Sequence, residues 1–246
     1  MTASSRERFA QVARAPAPDV ALACLLLGCE VEPDLDLDAS LAALDGLAAR
    51  VSTAADLRRA LQGFAGSAED YDDVRSSLLH EVLRRRRGLP ILLSVVWCEV
   101  AARAGVDAVP LGLPGHVLVR LADHTGAHVV VDPFAGGRTV AAPTEPVLEP
   151  VDLLLRVLTN IRVLAGRQAR SLESTRTRLW ATELSLLLPR HPLALRQERG
   201  ELLVRLGDFA AGAEELEEYA DAVEDADEEA AATSRRQARL ARARLN

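Results

Sequence analysis

Through most of the chain apolar residues recur every three to four positions, the spacing of a helix with one buried stripe. Residues 4–29 read as two helices broken by Pro16-Ala17-Pro18, with Asp19 placed to cap the second. Glu30–Ser40 reads as a loop. Leu41–Val51 and Ala54–Phe64 read as helices, the latter capped by Ser52 or Thr53. After an acidic loop, Glu69–Asp73, a helix is predicted over Ser76–Arg87, stopped by Gly88. Pro90–Ala104 is the most apolar helix, and a proline suits its first turn because that N–H has no intrahelical partner. The period then changes. Ala108–Leu111, His116–Leu121 and His128–Val131 are short Val- and Leu-rich runs separated by turn residues, with Thr139–Val140 as a further short edge. They predict a small antiparallel sheet. A Pro-rich connection, residues 141–150, leads back to helical spacing at Leu153–Ala165, Thr175–Leu188, Leu193–Leu206 and Ala210–Val223.

This pattern gives an α+β chain, mostly helical, divided into residues 1–150 (helical over 1–105, sheet over 106–140) and a helical block over 151–246. Within that block Gly200, Gly207-Asp208-Phe209, Leu216 and Tyr219 follow the spacing of a tetratricopeptide-like helix pair. A looser copy runs from Asn160 to Leu188. Two pairs are few for a self-standing solenoid.

Composition narrows the classes. Hydrophobic residues make up 49% and aromatics 3% of 246 residues, which suits a core of Leu, Val and Ala and excludes global disorder. All 29 basic residues are Arg; none is Lys. The net charge of −7 argues against a general nucleic-acid binder. The N-terminus lacks a basic-then-apolar leader, and the longest apolar runs, near ten residues, are too short for a bilayer. Cys24, Cys29 and Cys98 do not form a disulfide framework. A soluble, cytoplasmic setting is expected. Arg84–Arg87 reads as a solvated helix terminus, with a phosphate patch as the lesser alternative. The acidic run Glu214–Glu229 reads as a solvated face paired with the basic tail Arg235–Arg244, or as an interaction tail.

The chemically loaded part is RRRRGLPILLSVVWCEVAARAGVDAVPLGLPGHVLVR, followed by HVVVDPFAGG. Its order is Gly-x-Pro, a long apolar helix ending Ala-x-x-Ala-Gly, Pro-Gly-His-x-x-x-Arg, and a strand ending Asp-Pro-Phe-x-Gly-Gly. That order resembles the transglutaminase-like superfamily. More narrowly it is similar to the bacterial SirB-type branch, in which tetratricopeptide-like helices follow the core. Phe64-Ala65-Gly66, Tyr71-Asp72, Ser77, Leu79 and Arg199-Gly200 fit the same branch.

The resemblance implies a Cys, His and Asp site. A Cys at a helix N-terminus is favoured as thiolate, a His moves the proton, and an Asp fixes its tautomer. By position His116 and Asp132 fall on the His and Asp. The nucleophile position falls on Pro90, and proline is no nucleophile. Cys98, eight residues on, lies about 12 Å further along the helix and sits among Val and Trp, so it reads as an inert buried thiol. Ser94, one turn from Pro90, is conceivable, although a helix-interior Ser more commonly bonds its own backbone. His116, His124, His128 and Asp132 fall within seventeen residues but lack a metal-site spacing. No cofactor or metal is expected. His80 and His191 read as surface or loop residues.

Two functions follow. The first is a non-catalytic transglutaminase-like protein that binds a protein or peptide partner through its cleft and helical repeats. The second is a hydrolase or acyltransferase using His116–Asp132 with Ser94 or Cys98. Without lysine, this chain could not crosslink itself through a side-chain amine.

Overall fold

The computed structural model describes residues 4–122, 127–141, 146–167 and 171–245. The chain forms two compact units, Met1–Val157 and Leu158–Asn246. The first contains α1 (Ser5–Ala13), α2 (Val20–Gly28), α3 (Leu37–Ala48) and α4 (Ala54–Ala60). Two 3-10 turns, Ala68–Asp72 and Val74–Ser77, precede α5 (Leu79–Arg85) and α6 (Pro90–Arg103). The strands β1 (Ala108–Leu113), β2 (His116–Ala122), β3 (His128–Asp132) and β4 (Arg138–Val140) follow, and α7 (Pro150–Arg167) crosses the boundary. The second unit holds α8 (Leu172–Leu187), α9 (Ala194–Leu206), α10 (Phe209–Val223) and α11 (Glu228–Arg242).

Helix α6 is apolar on every side, and such a helix must be buried all round. Ile91, Leu92, Leu93, Val95, Val96, Trp97, Val100 and Ala101 are all buried, and α6 packs against α2–α5, β1 and β2. The Trp97 indole is fully buried and lies where a side chain on Gly137 would stand. Glycine is required there twice over, because Gly137 also has φ +78°.

The sheet is antiparallel in the order β1-β2-β3-β4. Leu111 pairs with Leu118, Val119 with Val131 and Val130 with Val140. One face carries the buried Val117, Val119, Leu121 and Val131; the other carries His116, Leu118, Arg120, Val130 and Asp132. On this second face Leu111, Leu118 and Val130 form a small apolar cluster of their own. The outer edge of β1 is not bare: Leu148 N–H donates to Pro110 O (2.9 Å) and Gly112 N–H to Pro146 O (3.1 Å).

A mostly helical α+β fold with a small antiparallel sheet is what the periodicity predicts. Boundaries differ where side-chain caps decide them. Helix α3 begins at Leu37 instead of Leu41, because Asp36 accepts from Ala39 N–H and draws part of the expected loop into the helix. The helix expected over Ser76–Arg87 is shorter. Its start is a 3-10 turn set by the Asp73 side chain, and Arg86 ends it in the left-handed conformation at φ 55°. His80 is a correction: it is buried, 5% exposed, instead of lying at the surface. A side chain at Gly28 would collide with its ring, and burial pushes its pKa below the usual imidazole value.

The four arginines before Gly88 are committed to neighbours. Arg84 pairs with Glu81 and Glu32, Arg85 with Asp70 and Asp73, and Arg87 with Glu69 and Asp70. The Arg86 guanidinium lies 5.7 Å over the Phe64 ring. The basic tail forms most of α11, where Arg235 pairs with Asp221 and Glu224, and Arg242 with Glu217.

Candidate functional site

Gly115, at φ +68°, turns β1 into β2 and leaves His116 as the first strand residue. Asp132 is the last residue of β3. The register of Val119 against Val131, carried to the strand ends, puts residue 132 beside 118 and 134 beside 116. His116 and Asp132 are therefore diagonal neighbours on one face, within reach of a long side chain. His116 Nε2 lies 3.0 Å from Asp132 Oδ1. The same oxygen accepts from Phe134 N–H (3.0 Å) and Ala135 N–H (3.3 Å), while Gly137 N–H donates to Asp132 O (2.8 Å). The turn after β3 thus fixes the carboxylate before the imidazole reaches it. A carboxylate can only accept here, so Nε2 carries a hydrogen in this contact. The pair is not sealed off: the His116 side chain is 28% exposed, that of Asp132 13%.

An aromatic wall stands beside the imidazole. Phe134 meets His116 edge-on at 6.0 Å, and Tyr71 meets Phe134 at 5.6 Å. The Tyr71 phenol is pushed above its ordinary pKa by burial and then by the negative charge of Asp132. Gly66 closes the junction. Its N–H donates to Phe134 O (2.9 Å), and a side chain there would strike both the Phe134 ring and Gly88 O. The segments around Gly66, Gly88 and Phe134 therefore meet at one point, which brings the approach to α6 to the loop after Asp132.

Residues 30–151 match the family described as the transglutaminase-like superfamily. They form a transglutaminase-like domain. The chain is similar to a UPF0162 protein of Xylella fastidiosa strain Temecula1, 32% identical over 179 residues. That match covers 64% of this chain and 62% of the relative, so the chain spans less than two thirds of the relative's length. A UPF0162 protein of Pseudomonas aeruginosa is 37% identical over 101 residues, covering 39% of this chain and 36% of that protein. A shorter stretch of 57 residues, 23% of this chain, is 39% identical to 9% of the mouse (Mus musculus) F-box only protein 21. No solved structure matches the chain.

In this transglutaminase-like domain the position at the start of α6 is Pro90, a buried residue at the first helical position. Its ring carries no donor and no nucleophilic atom. The two other candidates on α6 are occupied or muted. Ser94 is fully buried, and its hydroxyl donates to Ile91 O at 2.7 Å. The Cys98 thiol is pushed far above its ordinary pKa by burial, with Glu99 adding to the effect, so it is held as the neutral thiol. Among the described residues neither makes a hydrogen bond to His116.

The structure thus brings His116 and Asp132 together and leaves Ser94 and Cys98 with other environments. His128 begins β3, exposed and about 20 Å along the sheet from His116 at the rise of a strand. His124 lies outside the described residues. His191 is an exposed loop residue whose Nδ1 meets Leu188 O at 2.9 Å. Tyr71, Phe134 and Gly66 are visible in the sequence as parts of motifs. Their role as wall and spacer depends on a long-range meeting that no local period reports.

Proposed function

We propose that this chain is a non-catalytic transglutaminase-like protein of the SirB type, which binds a protein or peptide partner through its domain cleft and tetratricopeptide-like helices. The observation that carries the reading is Pro90. The helix start that would present a thiolate presents a ring instead, while the His116–Asp132 pair is tied into the turn after β3. A His–Asp pair without a nucleophile still offers a hydrogen-bonding imidazole and an aromatic wall, and these can hold a peptide without cleaving it. The repeat reading is supported by α9 and α10, which cross so closely that a side chain on Gly200 would meet Gly212 O and Leu216. Such crossings by small residues suit stacked helix pairs. Three free cysteines accord with a reducing, cytoplasmic setting. Among the described residues, no helix is long and apolar enough to cross a membrane.

The test is turnover. The protein is incubated with glutamine-containing peptides and a primary amine, and ammonia release and peptide cleavage are followed. No release above background is expected from wild type or from His116→Ala. Release by wild type that disappears in His116→Ala would overturn the proposal and favour a Ser94 or Cys98 enzyme.

A further inference from the structure

One buried side chain of the first unit is left without a hydrogen bond at either end. His80, on α5, has a buried Nδ1 with no partner. Its Nε2 stands 3.7 Å from Glu32 Oε2, beyond hydrogen-bonding distance. Buried polar groups are paired almost without exception, so an imidazole held this way calls for a physical reason.

The ring sits in a hollow that a glycine leaves open. A side chain on Gly28 would lie 2.4 Å from His80 Nδ1 and 2.8 Å from Leu35. The hollow accommodates a neutral ring. A protonated ring would carry a hydrogen on both nitrogens, with no acceptor within reach of either. The charges that act on the imidazole are Glu81 and Arg84 on its own helix and Glu32 after α2. Helices α2, α3 and α6 and the second 3-10 turn also pack on α5. Of these, α2 meets the ring with Gly28 and α3 adds Asp36 nearby, while α6 and the 3-10 turn supply none of the charges acting on it. Glu32 is also shared: Arg84 Nη2 lies 3.4 Å from the same Oε2, a cation that opposes a second one at this position.

His80 also lines an open groove of about 310 Å³ between the segment after α2, α3 and α5. Leu35, Ala39 and Ala43 contribute its apolar lining, and Glu32 and Asp36 its carboxylates. Asp36 uses one oxygen to cap α3 through Ala39 N–H; the other accepts no bond among the described residues. A charged imidazole would find in this groove the acceptors that the hollow lacks.

We propose that His80 is a proton-operated catch: neutral, it plugs the hollow beside Gly28 and holds α5 to α2; protonated, it swings into the groove toward Glu32 and Asp36 and lets α5 loosen. Release would reach the candidate site along α5. Val82 fills the space beside Gly88, where a side chain would meet it at 2.5 Å, and Gly88 O belongs to the junction with Gly66 and Phe134. The catch thus sets how firmly the wall beside His116 is held.

The test is an NMR titration of the full chain with 13C-labelled histidine from about pH 8 to about pH 5, with His80 assigned by His80→Gln. Before it titrates, the His80 ring should show contacts with Gly28. Afterwards it should show contacts with Ala39 and Ala43. Amides of α5 should then exchange with solvent on the order of tenfold faster, after correction for the intrinsic effect of pH. His80→Gln cannot take up the proton and should remove that acceleration, whereas a packing role alone would give none in wild type. Asp36→Asn keeps the helix cap but removes a receiving charge, so the His80 midpoint should fall by about half a pH unit or more. Gly28→Ala fills the hollow and should place the ring against Ala39 and Ala43 at every pH; if that variant does not fold by circular dichroism, wild type and Asp36→Asn decide. The proposal is overturned if the titrated ring keeps its Gly28 contacts, if Asp36→Asn leaves the midpoint in place, or if α5 exchange ignores the protonation. It is equally overturned if the whole unit unfolds before His80 takes up its proton.

Discussion

Asp132 Oδ1 serves three donors at once: the imidazole and two successive backbone N–H groups. Its replacement therefore exposes more than a lost pair. Asp132→Ala strands the Phe134 and Ala135 N–H groups in a partly buried turn and should cost about 1–3 kcal/mol in urea unfolding. Asp132→Asn keeps an acceptor oxygen and should cost clearly less; equal losses would mean that the charge, and not the turn, is what matters. Gly66 is similarly constrained. A methyl group there would lie 2.0 Å from the Phe134 ring and 2.7 Å from Gly88 O, and a backbone carbonyl cannot swing aside as a flexible side chain can. Gly66→Ala should destabilise by about 1–3 kcal/mol and alter the near-ultraviolet circular dichroism of the Tyr71–Phe134 pair. The His116–Asp132 pair came from the family resemblance, and the register of β2 against β3 gives the physical reason the two side chains can meet. Ser94 makes the bond to its own helix backbone that a helix-interior serine commonly makes, donating to Ile91 O.

At the scale of elements, the connection from Phe64 to α5 is organised by one buried carboxylate. Asp70 is 1% exposed and accepts from Ser67 N–H (2.7 Å) and Ser76 Oγ (2.8 Å), with Arg87 Nη2 at 3.3 Å. Burial alone would raise its pKa, but the hydrogen bonds and the Arg87 charge outweigh it and hold the carboxyl below its ordinary value. A depressed carboxyl stabilises the fold above its unfolded pKa, about 3.9, and loses that contribution as pH falls through the folded value. Asp70→Asn should therefore lower stability by about 1–3 kcal/mol at pH 7 and flatten the loss of stability below about pH 4. His80 acts in a different window. Its depressed pKa means that the unfolded chain takes up a proton first as pH drops below about 6.5, so stability should decline between pH 7 and 5. His80→Gln should remove that decline when melting temperature is followed against pH. Neither device was legible locally. The Ser76–Arg87 run has a helical period, but Ser76 N–H donates to Asp73 O and Leu78 N–H to Arg75 O, so its first residues close 3-10 turns instead of α-helical ones. Helix α11 left a clearer trace: Asp227 as cap, Glu228 and Glu229 in its first turn, Arg239 and Arg242 in its last. Its sign change from acidic to basic reads as a tail until the buried Ala231, Ser234, Ala238 and Ala241 are counted as one stripe.

At the scale of the molecule, arginine stands wherever a lysine could, and six arginines of the C-terminal unit face carboxylates. Exposed pairs of this kind contribute little each, because two flexible side chains must be held in screened surroundings. Arg235→Ala should cost less than about 1 kcal/mol in urea unfolding, even though it breaks contacts to both Asp221 and Glu224. Fold class was legible at this scale because helical and alternating periods occupy separate stretches of chain. The site was legible only in part, because the meeting of Gly66, Gly88 and Phe134 joins segments that share no local pattern. One further property follows from the burial of Trp97 against Gly137. The chain has two tryptophans, and each compact unit holds one: Trp97 in the first, Trp180 in the second. Both indoles are shielded, at 0% and 8% exposure. Each unit thus carries a single tryptophan, excitable apart from the tyrosines, and the one in the first unit touches the loop that anchors Asp132. With Trp180→Phe, the remaining emission becomes an optical gauge of that loop, read without a label; with Trp97→Phe, it reports the helical unit alone.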